Sequence, residues 1–188
     1  MNAGKSTSLL QSNYNYLERG MKTILFASNI DTRYGQRKIT SRIGLNADAN
    51  VIDIDFDMYA YVEMQLAKTP NIGCVFVDEV HFFTKKQICE LCRIVDYLDL
   101  PVLAYGIRTD FQAEPFEGSL YLLTWADELI EIKTICHCGH KATMNMRIDA
   151  SGNKIEDGAQ VQVGGNELYT STCRAHFREG RSGIPFSE

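Results

Sequence analysis

The residues Gly4, Lys5 and Ser6 match the second half of the pattern G-x-x-x-x-G-K-[ST], which binds phosphate in nucleotide-binding proteins. At the start of a helix, free backbone N–H groups and the positive end of the helix would face the phosphates. Lys5 is expected to reach the β- and γ-phosphate oxygens, and the Ser6 hydroxyl is expected to bind Mg²⁺. The first glycine of the pattern would precede Met1, so an ordinary helix start explains these residues equally well when they are considered alone.

Two acids, Asp78 and Glu79, follow the apolar run of residues 74–77. Open α/β sheets bind ligands at the carboxyl ends of their strands, and a phosphate loop needs an acid there to hold Mg²⁺, which indicates Asp78. Glu79 could accept the proton of an alcohol, because phosphoryl transfer depends more on positioning than on early deprotonation. Acids at a strand end often only aid solubility, but together with residues 4–6 this pair favours nucleotide binding.

Cysteines and histidines near the C-terminus have the spacing of a metal site. Two ligand pairs on separate turns suit a closed tetrahedral Zn²⁺ site, which is favoured over free thiols because nothing indicates a disulfide-forming compartment. His137 or His140 could compete as ligands. Cys89 and Cys92 instead lie in a predicted helix beside apolar residues, which favours buried positions on one helix face. The four expected ligands are Cys136, Cys138, Cys173 and His176.

Three further residues have two interpretations each. His81 either contacts a nucleotide phosphate or packs beside its phenylalanine neighbours, and packing is at least as well supported. Phe111 and Tyr169 lie in polar, glycine-flanked segments rather than in apolar stripes. Considered singly, each of these two aromatics fits a core or turn position.

Composition limits the possible functions. The chain has 188 residues, a net charge of −5 and a pI of about 5.4, and it has no cluster of basic residues, which disfavours nucleic-acid binding. No apolar run approaches the ~20 residues that span a bilayer, which disfavours a membrane protein. Six cysteines without a secretory signal predict thiols or metal ligands and a cytosolic location.

Strands and helices are expected to alternate along most of the chain. Short apolar runs predict buried strands at residues 22–28, 73–80, 101–107 and 128–133, and residues 30–51 are expected to form a long loop with one short strand. This order indicates an α/β fold with parallel strands and right-handed crossovers. Helices are predicted at residues 6–19, 55–68, 84–98 (with Thr84 as a cap) and 119–126.

The alternation of predicted strands and helices ends near residue 133. Beyond it, the sequence has cysteine and histidine pairs and short β-like runs (142–149 and 160–165). We therefore predict an ATP-binding α/β domain at residues 1–133, a small zinc-binding domain at 134–180 and a flexible tail at 181–188. No apolar strand precedes Gly4, so we also expect the native protein to begin upstream of Met1, with the first strand of the sheet in that part.

The motifs MNAGKST, DTRYG, DEVHFF, YGIRTDFQAEPF, CHC…CRAH and VGGNELY occur in the order found in the zinc-containing, cytosolic type of thymidine kinase, which the chain resembles from residue 1 to about 178. The resemblance implies a P-loop, RecA-like parallel sheet with helices on both faces and a small zinc-ribbon or lasso domain. It also implies transfer of the γ-phosphoryl group of ATP to the 5′-hydroxyl of thymidine, giving dTMP and ADP. Such enzymes are usually cytoplasmic homotetramers that dTTP inhibits.

The resemblance assigns roles to particular residues. Glu79 corresponds to the proton acceptor, and glutamine is usual in the family at the position of His81. The zinc ligands would be the four residues named above, and they would hold the lasso segment in place. The ATP- and Mg²⁺-binding residues would be Met1, Asn2, Ala3, Gly4, Lys5, Ser6, Asp31, Thr32, Arg33, Asp78, Glu79, Val80 and His81. The residues that bind thymidine would be Phe111, which packs on the thymine, and Gln160, Val161, Gln162, Val163, Gly164 and Tyr169 of the lasso.

Two alternatives belong to other functional classes. The first is a P-loop module, shortened at its N-terminus, that binds nucleotide with little or no catalysis; loss of kinase activity but not of ATP binding in a Glu79→Gln variant would separate the enzyme from the module. The second is a nucleic-acid-binding zinc protein, which the acidic net charge disfavours.

Overall fold

The computed structural model describes residues 3–30 and 38–183. These residues form two compact units. The first, here called the sheet unit, comprises the described residues within 4–107 and 117–129, and the second, the cysteine unit, comprises residues 3, 108–116 and 130–183. The predicted domain limits at residues 133 and 180 stay a prediction, because compactness alone does not show that a unit folds independently.

The sheet unit is built around a parallel sheet. The strands are β1 (Lys22–Ser28), β2 (Lys38–Thr40), β3 (Asn46–Asp48), β4 (Asn50–Ile52), β5 (Ile72–Asp78) and β6 (Val102–Ala104). The helices are α1 (Lys5–Glu18), α2 (Met58–Lys68), α3 (Lys85–Leu98) and α4 (Glu117–Trp125), with a 3₁₀ turn at Val80–Phe82. In the described residues, four parallel strands pair in the order β4-β1-β5-β6, while β2 and β3 form a separate antiparallel pair.

Successive side chains of the central strand β1 pack against helices on opposite faces of the sheet. In β1, Phe26 packs in a core cluster with Val62 of α2 and Ile88 of α3. The preceding residue of the strand, Leu25, packs in a second cluster with Leu9 of α1. Successive strand residues point to opposite faces, so these clusters lie on the two sides of the sheet. The predicted α/β fold with helices on both faces is therefore confirmed.

The ends of α3 follow local sequence signals. The Thr84 hydroxyl accepts a hydrogen bond from the backbone N–H of Gln87 (3.3 Å), and the Gln87 side chain accepts one from the backbone N–H of Thr84 (3.1 Å). This reciprocal capping box fixes the first turn, as predicted from the threonine. The helix ends at Leu98, and the following cap residue, Asp99, has a left-handed backbone (φ 50°).

Three predictions of secondary structure are wrong. Residues 128–133 form no strand, and Leu129 and Ile130 are exposed, so the apolar run there does not mark a buried strand. Residues 160–165 also form no strand. The part of residues 30–51 that the structure describes contains β2, β3 and most of β4 instead of one strand, and strands of three residues are too short to show a periodic pattern.

The cysteine unit is small and antiparallel. Its strands are β7 (Thr134–Ile135), β8 (Lys141–Ala142), β9 (Met144–Arg147) and β10 (Tyr169–Thr172), followed by the short helix α5 (Arg174–Glu179). Strand β9 pairs with β10, and β7 pairs with β8. The buried apolar cluster of this unit consists of Met146, Ile148 and Phe177. Across both units, the described helices are too short or too polar to cross a membrane.

Candidate active site

The predicted phosphate-binding residues lie where helix α1 begins. Gly4 has a left-handed backbone (φ 82°), a conformation that glycine adopts without the steric cost of a Cβ. Lys5 is the first residue of α1 and Ser6 follows it, so both side chains leave the first turn, where the helix dipole is positive. The structure thus provides the helix start that an anion site requires.

Asp78 is joined to this helix start by a hydrogen bond. It is the last residue of β5, its side chain is buried, and its Oδ2 accepts a hydrogen bond from the Ser6 hydroxyl (2.9 Å). Its Oδ1 accepts a second hydrogen bond from the backbone N–H of Glu79 (3.0 Å). Two residues 72 positions apart therefore bring a hydroxyl and a carboxylate together, the hard oxygen donors that Mg²⁺ prefers.

Glu79 directs its carboxylate toward the same place. Its Oε1 lies 3.8 Å from Nζ of Lys5, and its Oε2 lies 3.3 Å from Nδ1 of His81. The backbone of Glu79 is left-handed (φ 50°), which is uncommon for a residue with a Cβ and occurs preferentially at functional sites. Lys5, Asp78 and Glu79 thus form one cluster of charges at the carboxyl end of β5.

The pKa of Asp78 reflects this environment. Burial, and then the negative charge of Glu79, raise the pKa of the Asp78 carboxyl to about 6, although Lys5, the Ser6 hydroxyl and the Glu79 N–H act in the opposite direction. An isolated buried carboxylate is costly, so this site favours a positive ligand beside Asp78.

Val80 and His81 are held by packing. The Val80 side chain lies in the core, and its backbone N–H donates to the carbonyl of Tyr105 (3.0 Å). The buried His81 ring lies 4.1 Å from the Phe82 ring, and its Nδ1 accepts a long hydrogen bond from the Ile107 N–H (3.5 Å). The packing interpretation of His81 thus agrees with the structure, and the ring also adjoins Glu79.

Of the other predicted ATP-binding residues, Ala3 is described and is half-buried. Met1, Asn2, Asp31, Thr32 and Arg33 lie outside the described residues.

In the cysteine unit, the predicted thymine-packing residue Phe111 is buried, and the guanidinium carbon of Arg147 lies 3.7 Å from its ring centroid. The neighbouring Asp110 is also buried, and it accepts hydrogen bonds from the backbone N–H groups of Gln112 (2.8 Å) and Glu114 (2.9 Å). A rigid turn therefore holds Phe111.

Hydrogen bonds join the predicted lasso segment to this turn and link two of its own residues. The Gln160 amide donates to Oδ2 of Asp110 (2.9 Å), and the Tyr169 hydroxyl donates to the carbonyl of Gln162 (2.8 Å). Val161 and Val163 are exposed, and Gly164 is half-buried. The structure therefore brings Gln160 to the turn that holds Phe111, and Tyr169 to Gln162.

Sequence reasoning missed two residues of this group. Asp110 and Arg147 are both more than nine-tenths buried and hydrogen-bonded. Asp110 lies within the motif YGIRTDFQAEPF, where only Phe111 was assigned a role, and Arg147 lies in no recognised motif. The polar turn around Asp110 gave a weak signal, because aspartate often accepts hydrogen bonds from the backbone two residues further on. Arg147 gave none, because an arginine in a short β-run normally faces solvent.

The four predicted metal ligands form a cluster. One donor atom from each lies within 4.8 Å of all the others: Cys136, Cys138, Cys173 and His176. The Cys136 sulfur is 3.4 Å from Nδ1 of His176, and the Cys138 and Cys173 sulfurs are 4.0 Å apart. A tetrahedron with Zn–S bonds of ~2.3 Å requires neighbouring donors ~3.8 Å apart. The cluster could therefore hold a metal ion.

Ionisation of Cys136 suits this role. Burial opposes ionisation, but hydrogen bonds, first from the backbone N–H groups of Cys138 and Cys173, lower the pKa of Cys136 to about 6. A thiolate is the form that binds a metal. The competing histidines lie nearby: Nδ1 of His137 is 3.5 Å from the Cys136 sulfur, and Nδ1 of His140 is 3.3 Å from the Cys138 sulfur.

The chain is similar to known proteins over nearly its whole length. The protein-family model described as thymidine kinase matches residues 1–177. A thymidine kinase of Coxiella burnetii is 60% identical over 181 residues, which cover 96% of this chain and 92% of that protein. A thymidine kinase of Legionella pneumophila (strain Lens) is 55% identical, with coverage of 99% and 89%, and one of Photorhabdus laumondii is 54% identical, with coverage of 95% and 89%. The chain belongs to the thymidine kinase family.

Proposed function

We propose that the protein is a thymidine kinase, which transfers the γ-phosphoryl group of ATP to the 5′-hydroxyl of thymidine and releases dTMP and ADP. The observation that carries this proposal is the cluster at the carboxyl end of β5, where Ser6 bonds to Asp78 (2.9 Å) and Lys5 lies 3.8 Å from Glu79. Thymidine is proposed as the substrate because the thymidine kinase family model matches residues 1–177.

On the nucleotide side, Lys5 and the backbone N–H groups at the start of α1 would bind the phosphates of ATP. The Ser6 hydroxyl and the Asp78 carboxylate are suited to hold Mg²⁺, which would neutralise charge on the phosphates when bound. Asp31, Thr32 and Arg33 would contribute further phosphate contacts, as the resemblance implies.

Glu79 is proposed as the proton acceptor. As the thymidine 5′-oxygen bonds to the γ-phosphorus, the bond from that phosphorus to the oxygen retained by ADP breaks, and Glu79 takes the hydroxyl proton. The Glu79 carboxylate lies between Lys5 and His81, two groups that restrict its orientation. Positioning of this kind contributes strongly to phosphoryl transfer.

Thymidine binding is assigned to the cysteine unit. Phe111 would contact the thymine ring, and Tyr169 with residues 160–164 would read its edge through backbone groups. A structural Zn²⁺ ion at the cysteine cluster would be held by Cys136, Cys138, Cys173 and His176. The ion would add rigidity to a unit whose buried apolar cluster is small.

Four further properties are proposed, the first two on the family resemblance alone. They are a homotetrameric state, inhibition by dTTP, a cytoplasmic location and the absence of a nucleic-acid partner. The acidic net charge of −5 supports the last of these.

A nucleoside panel with ATP tests the proposed function, with thymidine expected to be phosphorylated. Glu79→Gln keeps the size of the side chain, and we expect it to lower kcat by at least about 100-fold and to change the Kd for ATP by less than about threefold. Glu63→Gln, on the exposed face of α2, is the matched control. ATP binding without thymidine turnover in the unmodified protein would instead support the nucleotide-binding module, an alternative that the near-complete match to thymidine kinases does not favour.

A further inference from the structure

The geometry points to Arg147 as a positioning residue that orders the thymidine-binding segment, a role that rests on the proposed function. Arg147 is the last residue of β9 and is only 2% exposed. It lies directly opposite Tyr169 in the register of β9 and β10. Its side chain therefore starts next to the base of the segment formed by residues 159–169, here called the loop.

The guanidinium binds the loop at three places. Its Nη2 donates to the Tyr169 hydroxyl (2.8 Å), and its Nε donates to the same oxygen (3.1 Å). Nη2 also donates to the carbonyl of Ala159 (3.0 Å) and, at a longer distance, to that of Gln160 (3.5 Å). The Tyr169 hydroxyl in turn donates to the carbonyl of Gln162 (2.8 Å). Arg147 therefore binds both ends of the loop directly and is linked to its interior through Tyr169.

The same guanidinium fixes the proposed thymine-binding aromatic. Its central carbon is 3.7 Å from the centroid of Phe111 and 5.3 Å from that of Tyr169. A planar cation at these distances stacks favourably on an aromatic face. Arg147 therefore couples the orientation of Phe111 to the conformation of the loop.

The partners of Arg147 are chemically unusual for a buried cation. Among the described residues, no carboxylate forms an ion pair with it; its hydrogen bonds go to a phenol and to backbone carbonyls. A buried charge without a counter-charge is costly unless its donors are satisfied. The network uses the N–H groups of Nε and Nη2, whose fixed planar geometry makes arginine suited to it. The single ammonium of a lysine cannot bind the loop at three places and cover Phe111 as well.

This network is distinct from the cysteine cluster. Cys173 follows β10 directly, so a metal ion would fix the chain after Tyr169, while Arg147 fixes the chain before and at Tyr169. Loss of Arg147 is therefore expected to loosen the loop while the metal remains bound.

The test compares Arg147→Met and Arg147→Lys with the unmodified full chain. We expect Arg147→Met to speed backbone hydrogen exchange in residues 159–169 and to raise the KM for thymidine, each by at least about tenfold, with the KM for ATP changed less than about twofold. Arg147→Lys should not restore the thymidine KM. Lys154→Met is the matched control, because Lys154 lies on the Phe177 ring and pairs with Glu156 but has no contact with the loop.

Unchanged exchange in the loop, equal rises in both KM values, or full rescue by lysine would each overturn the proposal. Zinc content measured on each variant separates the role of Arg147 from metal loss, and loss of zinc in Arg147→Met alone would also contradict it. If Arg147→Met does not fold, Tyr169→Phe removes the central hydroxyl and should give a smaller effect of the same kind. Absence of thymidine turnover in the unmodified protein would refute the proposed function, and the exchange comparison would still decide whether Arg147 orders the loop.

Discussion

At the residue scale, the site at the carboxyl end of β5 holds two neighbouring carboxylates that repel each other. Asp78 and Glu79 are adjacent in sequence, one buried and one left-handed in its backbone, and both adjoin Lys5. Such an arrangement costs stability and is retained where function needs it. The consequences can be measured one side chain at a time.

The first prediction concerns Asp78→Asn. Burial and the charge of Glu79 raise the pKa of Asp78 to about 6, so the folded protein binds this proton more tightly than the unfolded chain does. The resulting stabilisation is complete below about pH 4 and is lost as the pH rises through 6. At pH 7 without Mg²⁺ we expect Asp78→Asn to increase the free energy of unfolding by roughly 1–3 kcal/mol, with the gain absent at pH 4.

Denaturant unfolding at both pH values, followed by the fluorescence of Trp125, gives the measurement; the tryptophan is the only one in the chain and lies in the sheet unit. Asp55→Asn makes the same charge change at an exposed position and should leave stability nearly unchanged. Turnover should fall sharply in Asp78→Asn. A variant less stable than the parent at pH 7 would refute the electrostatic account.

The second prediction concerns Lys5→Met. The positive charge of Lys5 lowers the pKa of Asp78, so its removal is expected to raise that pKa further and to weaken phosphate binding. We expect the KM for ATP to rise at least about tenfold, while the KM for thymidine changes little. Steady-state kinetics on the variant and on Lys68→Met, an exposed lysine of α2, distinguish this local effect from a general loss of charge.

At the element scale, a buried glutamate connects two helices. Oε2 of Glu90 in α3 accepts a hydrogen bond from the backbone N–H of Met58, the first residue of α2 (2.9 Å). Lys86 lies 3.7 Å from the other carboxylate oxygen, and burial raises the pKa of Glu90. Glu90 thus satisfies one of the N–H groups that every helix start leaves without a partner.

The third prediction compares two substitutions of Glu90. Glu90→Ala leaves the buried Met58 N–H without an acceptor and is expected to lower the free energy of unfolding by about 1–3 kcal/mol. Glu90→Gln keeps an acceptor oxygen and removes a charge that burial disfavours, so a loss below ~1 kcal/mol is expected. Glu63→Ala on the exposed face of α2 controls for the intrinsic effect of alanine. Equal losses for Ala and Gln would show that the Met58 contact is not the stabilising feature.

The same scale shows why the sequence predicted some elements and not others. Strand β1 is predicted with its observed bounds because an uninterrupted apolar run is flanked by clear breaks, and α3 carries its own capping signal at Thr84. Strands β2, β3 and β4 have three residues each and no repeated pattern. The run at 128–133 was misleading because apolar composition alone does not fix burial, and Leu129 and Ile130 are exposed.

The residues of the candidate site likewise fall into those that the sequence predicts and those that it does not. Lys5, Ser6, Asp78 and the four expected metal ligands were predictable because phosphate and metal chemistry demands particular residue types at particular spacings. Arg147 and Asp110 act on neighbouring backbone through tertiary contacts. The motif YGIRTDFQAEPF contains Asp110 but does not indicate its contacts, and Arg147 lies in no motif, so the roles of both became visible only in the folded structure.

At the scale of the whole molecule, the two units are stabilised by different means. The sheet unit has two large apolar clusters on the faces of its sheet. The cysteine unit buries a cluster of three apolar side chains and adds the cysteine cluster and the Arg147 network. Small units with little apolar core commonly depend on a metal ion for their stability.

The fourth prediction follows from this difference. Removal of zinc with a chelator, or the substitution Cys173→Ser, is expected to lower thymidine turnover by more than about tenfold. Because Trp125 reports the sheet unit, its denaturant unfolding midpoint should shift much less than turnover falls. Cys89→Ser is the matched control and should alter neither quantity. Contrary to the predicted buried position, Cys89 is an exposed thiol of the sheet unit, and it lies outside the metal cluster. Recovery of turnover on adding Zn²⁺ to the chelated protein would tie the loss to the metal, whereas a Trp125 transition that collapses together with turnover would mean that the metal stabilises the molecule as a whole.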